Sequence, residues 1–374
     1  MRIGMWIASL VLFVGPSLRA STVEESLAKM AGDIKTYAES KNVKDVRIEG
    51  FRGTGEFATS GGPYLVQKLT EVLQARGIGI AMKSRIILSG DYDEVEDKET
   101  QTQAVRVQMT IKDKDEDKEI KLERRFVRNQ TEIARVLGLT LEFPPNANKK
   151  ERNDELKGKI DEPKPAIQGS VLRAKANSKF GIEILVKEGN DYKPRSPEEK
   201  DKTGLAFVGI KRNEVYAVRL INDNPFDVAV QLTLDGLGMF VSCDAVDPDS
   251  KRPLRDPLTK KPLFQHVLIP ANQSMIVKGW FVNLKKTDEF KVTAYADSLA
   301  HLFNSGSGVG TITAEFHAAV APDKPFPDGE PKNNDNVSLS ADATGRGKRL
   351  DEEYGVKEVK IGGLRGAVSV RYTR

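Results

Sequence analysis

The spacing of apolar positions already divides this chain into elements. Over residues 21–40, Val23, Leu27, Met30, Ile34 and Tyr37 recur at helical intervals, and Ser21-Thr22 ahead of Glu24-Glu25 reads as a helix start. Residues 46–51 alternate and predict a strand. A Gly-rich loop over 53–62 follows. Residues 63–76 then place Leu65, Val66, Leu69, Val72 and Leu73 on one face of a second helix, which Gly77 ends. Strands are predicted over 78–82, 85–95, 104–112 and 119–127, the last two joined by a charged turn. Asn129-Gln130-Thr131-Glu132 caps a third helix through Leu137. One crossover near the start allows parallel pairing there; the later strands form antiparallel hairpins.

Residues 144–169 break this pattern with four prolines and mixed charge, and read as a solvated linker. Beyond them, strands are predicted over 179–187, 215–221, 227–234, 264–269, 275–282, 290–296 and 309–320. Turn signals such as Asn222-Asp223-Asn224-Pro225 and Asp235-Gly236 separate them. This is the pattern of an antiparallel β-sandwich. A polar, Pro/Gly-rich stretch covers 322–350. The alternating run 367–372, within a terminal segment 351–374, is expected to close the sandwich, because an exposed final strand invites aggregation. No internal repeat is evident. The expected fold is therefore α+β: an α/β domain with a mixed sheet over 21–143, then an antiparallel β-sandwich over 170–321.

The first twenty residues change the picture of where the chain works. Arg2, the apolar run 3–14, Gly15-Pro16 and Ala20 have the three-part form of a secretory signal peptide, and the run is too short to span a bilayer. The expected setting is exported, periplasmic or extracellular, with no membrane span after signal removal. Lys+Arg total 58 and Asp+Glu 54 in 374 residues, a formal balance of +4 that argues against a dedicated nucleic-acid binder. One cysteine and three histidines exclude a Cys-rich zinc module and an internal disulfide framework.

Candidate chemistry is sparse. Gly53-Thr54-Gly55-Glu56-Phe57-Ala58 has the form of a dinucleotide-binding turn between strand and helix. The next strand, however, leads into Lys83 rather than an acid, and Glu56 would face a pyrophosphate, so a partner-contact loop is the preferred reading. His266 and His317 alternate with apolar residues and read as solvent-facing or edge positions, with His301 between them in sequence. Cys243 reads as a buried, inert thiol. Asp244, Asp247, Asp249 and Asp256 lie among Lys251, Arg252 and Arg255, which suits a solvated turn better than a calcium loop. Trp280, Phe281, Tyr295 and Phe316 read as core aromatics, the alternative for Trp280 and Tyr295 being a sugar-stacking platform. No cofactor or metal site is expected.

Residues 22–143 resemble a group of bacterial envelope domains. The resemblance rests on the strand 46–51, the Gly-rich loop, the Leu-rich helix 63–76, the strand 77–82 and a strand carrying Gly90-Asp91-Tyr92. The group includes the curli-secretion lipoprotein, the outer-membrane activators of penicillin-binding proteins, FlgO-type proteins and the TolB amino-terminal domain. The later segments 215–237, 269–282 and 368–372 are similar to a β-rich domain of uncharacterised exported bacterial proteins. The resemblance implies docking or scaffolding at the cell envelope, and carries no catalytic motif. The expectation is a non-enzymatic protein that contacts envelope proteins through Arg52, Thr54, Glu56 and Phe57 or an open sheet edge. The alternatives are a carbohydrate- or cell-wall-binding sandwich and an envelope hydrolase working through paired carboxylates.

Overall fold

A computed structural model describes residues 21–54, 61–98, 100–200, 205–258, 260–293, 310–331, 343–346 and 354–373. The segment read as a signal peptide lies outside the described residues, as do Glu56, Phe57, Tyr295 and His301. The fold is mixed: among the described residues, four helices accompany three β-sheets, compatible with the α+β expectation.

The chain opens with helix α1 (Val23–Ser40), where Thr22 and Glu25 cap each other's backbone N–H in a capping box. Strand β1 (Asp45–Gly53), helix α2 (Gly61–Gln74), β2 (Gly79–Ile80), β3 (Ile86–Asp97), β4 (Thr102–Asp113), β5 (Lys118–Lys121) and β6 (Arg125–Val127) follow. They build a six-stranded sheet in which β1 runs parallel to β2 and β3, and β4 antiparallel to β3, β5 and β6. The early parallel pairing is present as expected, but on both sides of β1, so the chain crosses over twice instead of once. The strand expected over 119–127 is divided, because residues 122–124 leave the ladder between β5 and β6. Leu27, Met30 and Ile34 of α1 and Leu65, Leu69 and Leu73 of α2 share one core with Ile48, Leu88, Val107 and Met109 of the sheet. Gly90 explains the Gly-Asp-Tyr signature: a Cβ there would collide with the Phe51 ring, while Tyr92 fills the core two residues on.

Helix α3 (Gln130–Leu137) starts on Asn129, whose side chain accepts from Glu132 N, and ends on Gly138 in the left-handed region. Strand β7 (Leu141–Glu142) leads into α4 (Lys149–Asp161). This helix corrects the linker expectation. Its sequence, KKERNDELKGKID, is almost wholly polar, yet Asn148 and Glu151 form a capping box and Leu156 is fully buried in the first core. Asn153 Oδ1 accepts from Gln103 N at 2.7 Å, and the Arg152 guanidinium lies 4.5 Å from the Phe143 ring centre. Polar caps and three anchoring side chains substitute for an apolar stripe.

The remaining strands are β8 (Ala166–Gln168), β9 (Val171–Arg173), β10 (Phe180–Glu188), β11 (Asp191–Arg195), β12 (Glu198–Lys200), β13 (Leu205–Gly209), β14 (Val215–Asn222), β15 (Val228–Leu234) and β16 (Leu237–Gly238). After them come β17 (Val267–Ile269), β18 (Gln273–Val277), β19 (Gly279–Asn283), β20 (Lys286–Lys291), β21 (Thr311–Val320), β22 (Ala343–Arg346), β23 (Tyr354–Lys357) and β24 (Lys360–Thr373). An eight-stranded sheet centres on β10 and β14, and a ten-stranded sheet on β24, β21 and β15. Ile182, Val218 and Leu220 of the first share a core with Val230, Leu232, Phe316 and Val368 of the second. The strand expected over 275–282 breaks at Lys278 into β18 and β19.

Two expectations need correction here. The ladders are not all antiparallel: β24 pairs parallel with β13, and β17 parallel with β22. The final strand is also longer than the alternating run suggested, and lies inside the sheet between β13 and β21. Its early part bulges at Gly362-Gly363, where a Cβ on Gly362 would run into the Glu330 carboxylate. β24 also pairs with β7, and its Leu364 and Ala367 belong to the first core, so this strand touches both cores.

Leu156→Ala is expected to lower unfolding free energy by about 2–5 kcal/mol in a denaturant titration, the cost of a core cavity. A change below about 0.5 kcal/mol, the surface range, would show that α4 does not anchor to the core.

Candidate functional site

The described residues gather a cluster of buried ionisable groups in one place, the outer face of the ten-stranded sheet. Along β21 the apolar positions Ile312, Ala314 and Phe316 face the second core, and Thr313, Glu315 and His317 take the opposite face. Arg135 of α3 and Tyr64 of α2 lie over that face, and the polar residues on it are buried like the apolar ones. Arg135 of α3 reaches down to Glu315, with Nε and Nη2 donating to its Oε2 at 3.0 and 2.5 Å. Nη2 also donates to Gln231 Oε1 on β15 at 2.8 Å, and Nη1 to Tyr64 Oη on α2 at 3.1 Å. The Tyr64 hydroxyl donates to Glu132 Oε1 at 3.1 Å, and Glu132 Oε2 accepts from Val23 N at 2.5 Å. Directly, or through Tyr64 and Glu132, one guanidinium thus ties three helices to two strands.

Burial pushes the Glu315 and Glu132 carboxyls above the ordinary carboxylate range, with Arg135 pulling against it in both. Arg135 remains fully protonated: burial works against its charge, but Glu315, Tyr64 and Glu132 outweigh it. Two buried carboxylates with raised pKa values are what a hydrolase pair would show. Here, however, they lie on either side of Tyr64 and Arg135 inside the junction, not across an open cleft. Further along the seam, Ser369 N donates to Thr140 Oγ1 at 2.8 Å. Arg371 donates to Leu137 O and to the Thr311 hydroxyl; burial lowers its pKa to about 10.

His266 and His317 correct the solvent-facing expectation. Both are buried, with ring centres 5.6 Å apart in an edge-to-face arrangement. His317 Nδ1 lies 3.0 Å from Gly362 O, at the bulge of β24. Burial lowers the His317 pKa to about 4, and lowers that of His266 well below the usual imidazole range, with His317 and Arg135 adding to the effect. Both rings are therefore neutral at neutral pH. Among the described residues, no group of three or more His, Cys, Asp or Glu side chains could hold a metal ion.

Above the seam lies a cleft where open space meets these residues. It lies open to solvent between α2, α3, the β15–β16 turn and residues 261–265. Tyr64, Phe240 and Phe264 form its floor, and Lys68, Glu71, Arg135 and Lys261 supply charge. Lys261 is delivered by a feature that corrects the expectation of no repeat. Residues 247–254 read DPDSKRPL and residues 256–263 read DPLTKKPL, offset by nine positions. The described residues of the two copies share their backbone geometry. In each, the Asp N–H donates to the backbone O five residues on (Arg252 or Lys261) at 2.8 and 2.9 Å, and Lys251 or Lys260 has φ of 59°. Arg255 between them donates to Cys243 O, Val241 O and Lys260 O.

The residues singled out in the sequence fall elsewhere. Arg52 and Thr54 stand exposed at the end of β1, where Thr54 N donates to Tyr92 O at 2.9 Å. Beside them Glu49, Gly50, Arg52, Ser89 and Asp91 line an open depression on the outer face of the six-stranded sheet. Cys243 is buried as expected, and burial raises its thiol pKa. Asp247 is not a solvated acid: burial works against its charge, but Ser250 N and Oγ, Leu284 N and Asp249 N donate to it and hold its carboxyl below the usual range. Phe281 and Phe316 are core residues; Trp280 is half-buried, edge-on to Phe290 at 5.3 Å. Sequence reasoning missed Arg135, Glu315 and Lys261. The DP-x-[S/T]-K-[K/R]-PL repeat was the legible signal for the last.

Compared with known proteins, the chain matches no family model, and no curated protein matches it. Among the described residues no helix is long and apolar enough to cross a membrane.

Arg135→Leu is expected to cost about 3–5 kcal/mol, because it leaves Glu315 as an uncompensated buried charge; the double variant Arg135→Leu/Glu315→Leu is expected to recover much of that loss. Additive losses in a double-mutant cycle would contradict a coupled pair. Acid should also destabilise the fold in a defined window. A histidine with a lowered folded pKa stabilises the fold in its neutral form, so the His317 contribution is complete above about pH 6.5 and fades as pH falls toward about 4. The loss is roughly 3 kcal/mol, and His317→Asn should flatten the slope of stability against pH in that window.

Proposed function

We propose that this is an exported, non-enzymatic envelope protein that docks other proteins, built as an N-terminal α/β docking unit followed by a β-sandwich. The observation that carries the reading is the polar outer face of the six-stranded sheet. The helices α1 and α2 cover the opposite face. On the outer face, Arg52 pairs in register with Asp91, Asp91 with Gln108, and Asp93 with Arg106, the last an ion pair as well. Mixed-charge side chains that reach solvent from a rigid sheet suit a polar protein surface better than a small ligand. The neighbouring Gly-rich loop and the leader-like first twenty residues agree with this setting.

The carbohydrate-binding alternative has less support, since Trp280 packs edge-on against Phe290 instead of presenting a face. The hydrolase alternative finds a single carboxylate, Glu71, in the cleft, while Glu49 and Asp91 share only an open, solvent-exposed depression on the outer sheet face.

A photo-cross-linker at position 52 of the full chain is expected to trap a discrete envelope protein, and the same group at position 193, on β11, is not. Reversing charge at Asp91, the in-register neighbour of position 52, should abolish the adduct. An adduct pattern equal at both positions, or unchanged by charge reversal, would contradict the assignment.

A further inference from the structure

The cleft above the seam has a feature that the docking face does not explain: it already binds a carboxylate, its own. Glu71 Oε2 accepts from Lys68 Nζ at 3.1 Å and lies 3.2 Å from Lys261 Nζ. Its Oε1 accepts from Gln67 Nε2 at 3.2 Å. Two ammonium groups and an amide donor therefore converge on one acid group, which is a recognition geometry for a carboxylate. The donors come from separate places. Lys68 and Gln67 sit on α2, whereas Lys261 is carried in by the second copy of the repeated turn and also pairs with Glu24 of α1.

We propose that this cleft is a binding site for a small organic carboxylate, whose acid group replaces that of Glu71 between Lys68 and Lys261. Three features fit this ligand class. Glu71 is half-buried and lines the cleft, so its carboxylate faces the open space and not the apolar core. Arg135 stays committed to Glu315, but Lys68 and Lys261 both lose a partner when Glu71 withdraws, and a ligand acid restores it. The floor formed by Tyr64, Phe240 and Phe264 offers apolar contact for a carbon skeleton beside the two ammonium groups. The turn copies also differ in a telling way. Position for position, Lys261 corresponds to Arg252, whose guanidinium lies 5.9 Å from the Phe264 ring centre. Of the two, Lys261 is the cation that lines the cleft.

The test is calorimetric titration of the full chain with citrate, with a di-glutamyl peptide and with inorganic phosphate, at low and moderate salt. Because Glu71 competes for the same cations, Glu71→Gln is expected to bind the carboxylate probes about tenfold more tightly than the unaltered chain. Lys68→Met/Lys261→Met is expected to weaken binding at least about tenfold, and added salt to weaken it in the unaltered chain. If the double variant misfolds by circular dichroism, Lys261→Met alone replaces it. Citrate binding supports a free acid as the ligand; peptide binding without citrate binding overturns the small-acid assignment. No binding of either probe by folded Glu71→Gln overturns the proposal, as does equal affinity across the variants or a preference for phosphate. None of these outcomes depends on the outer sheet face, so the docking reading stands or falls separately.

Discussion

A single buried guanidinium sets the terms for the rest of this molecule. Arg135 sits at the point where the helices of the first core meet a sheet of the second, and its donors reach a carboxylate, an amide and a phenol on three different elements. Such an arrangement is tolerable in a low-dielectric interior because its charge meets an opposite charge and its other donors find polar partners. It is also specific. Two apolar faces slide over each other at small cost; a fork of hydrogen bonds fixes one relative placement of α3 and β21. The strand β24 reinforces it, pairing with β7 on one side and β21 on the other while placing Leu364 and Ala367 in the first core.

This seam also explains what the sequence could and could not reveal. The helices and strands of the first region were legible because one face of each is apolar and one is wet, as in Leu65, Leu69 and Leu73 of α2. The Asn129 cap was legible because side-chain capping is local. By contrast, His266, His317 and Glu315 alternate with apolar residues in the manner of a half-exposed strand, yet both faces of β21 are buried. Alternation reports polarity, not exposure, and here the polar face is covered by other polar groups. Helix α4 was hidden for the opposite reason. Its sequence has almost no apolar stripe, and it is held by caps and by Arg152, Asn153 and Leu156, contacts that depend on partners outside the helix. The candidate docking residues Arg52 and Thr54 were found from the loop pattern alone. The cleft was not, because its cations come from residues 68, 135 and 261, which only folding brings together.

The repeated turn links these levels. Its two copies show the same Asp-anchored backbone hydrogen bonds and the same left-handed lysine, so the local sequence dictates the local shape. What differs is the setting. The first copy is tied to the β19–β20 turn through Asp247 to Leu284 N and Asp249 to Lys285, and the second reaches the first core's helices through Lys261. A duplicated turn thereby supplies one brace within the sheets and one strut across the seam. It leaves the outer face of the six-stranded sheet and the cleft on a common, fixed frame.

Coupling through the polar seam is expected to make the two cores unfold as one cooperative body. Differential scanning calorimetry of the chain without its first twenty residues tests this directly. The expected result is a single transition near neutral pH whose calorimetric and van't Hoff enthalpies agree. Two resolved transitions, with the earlier one unchanged by Arg135→Leu, would show that the cores melt independently and that the seam does not bind them.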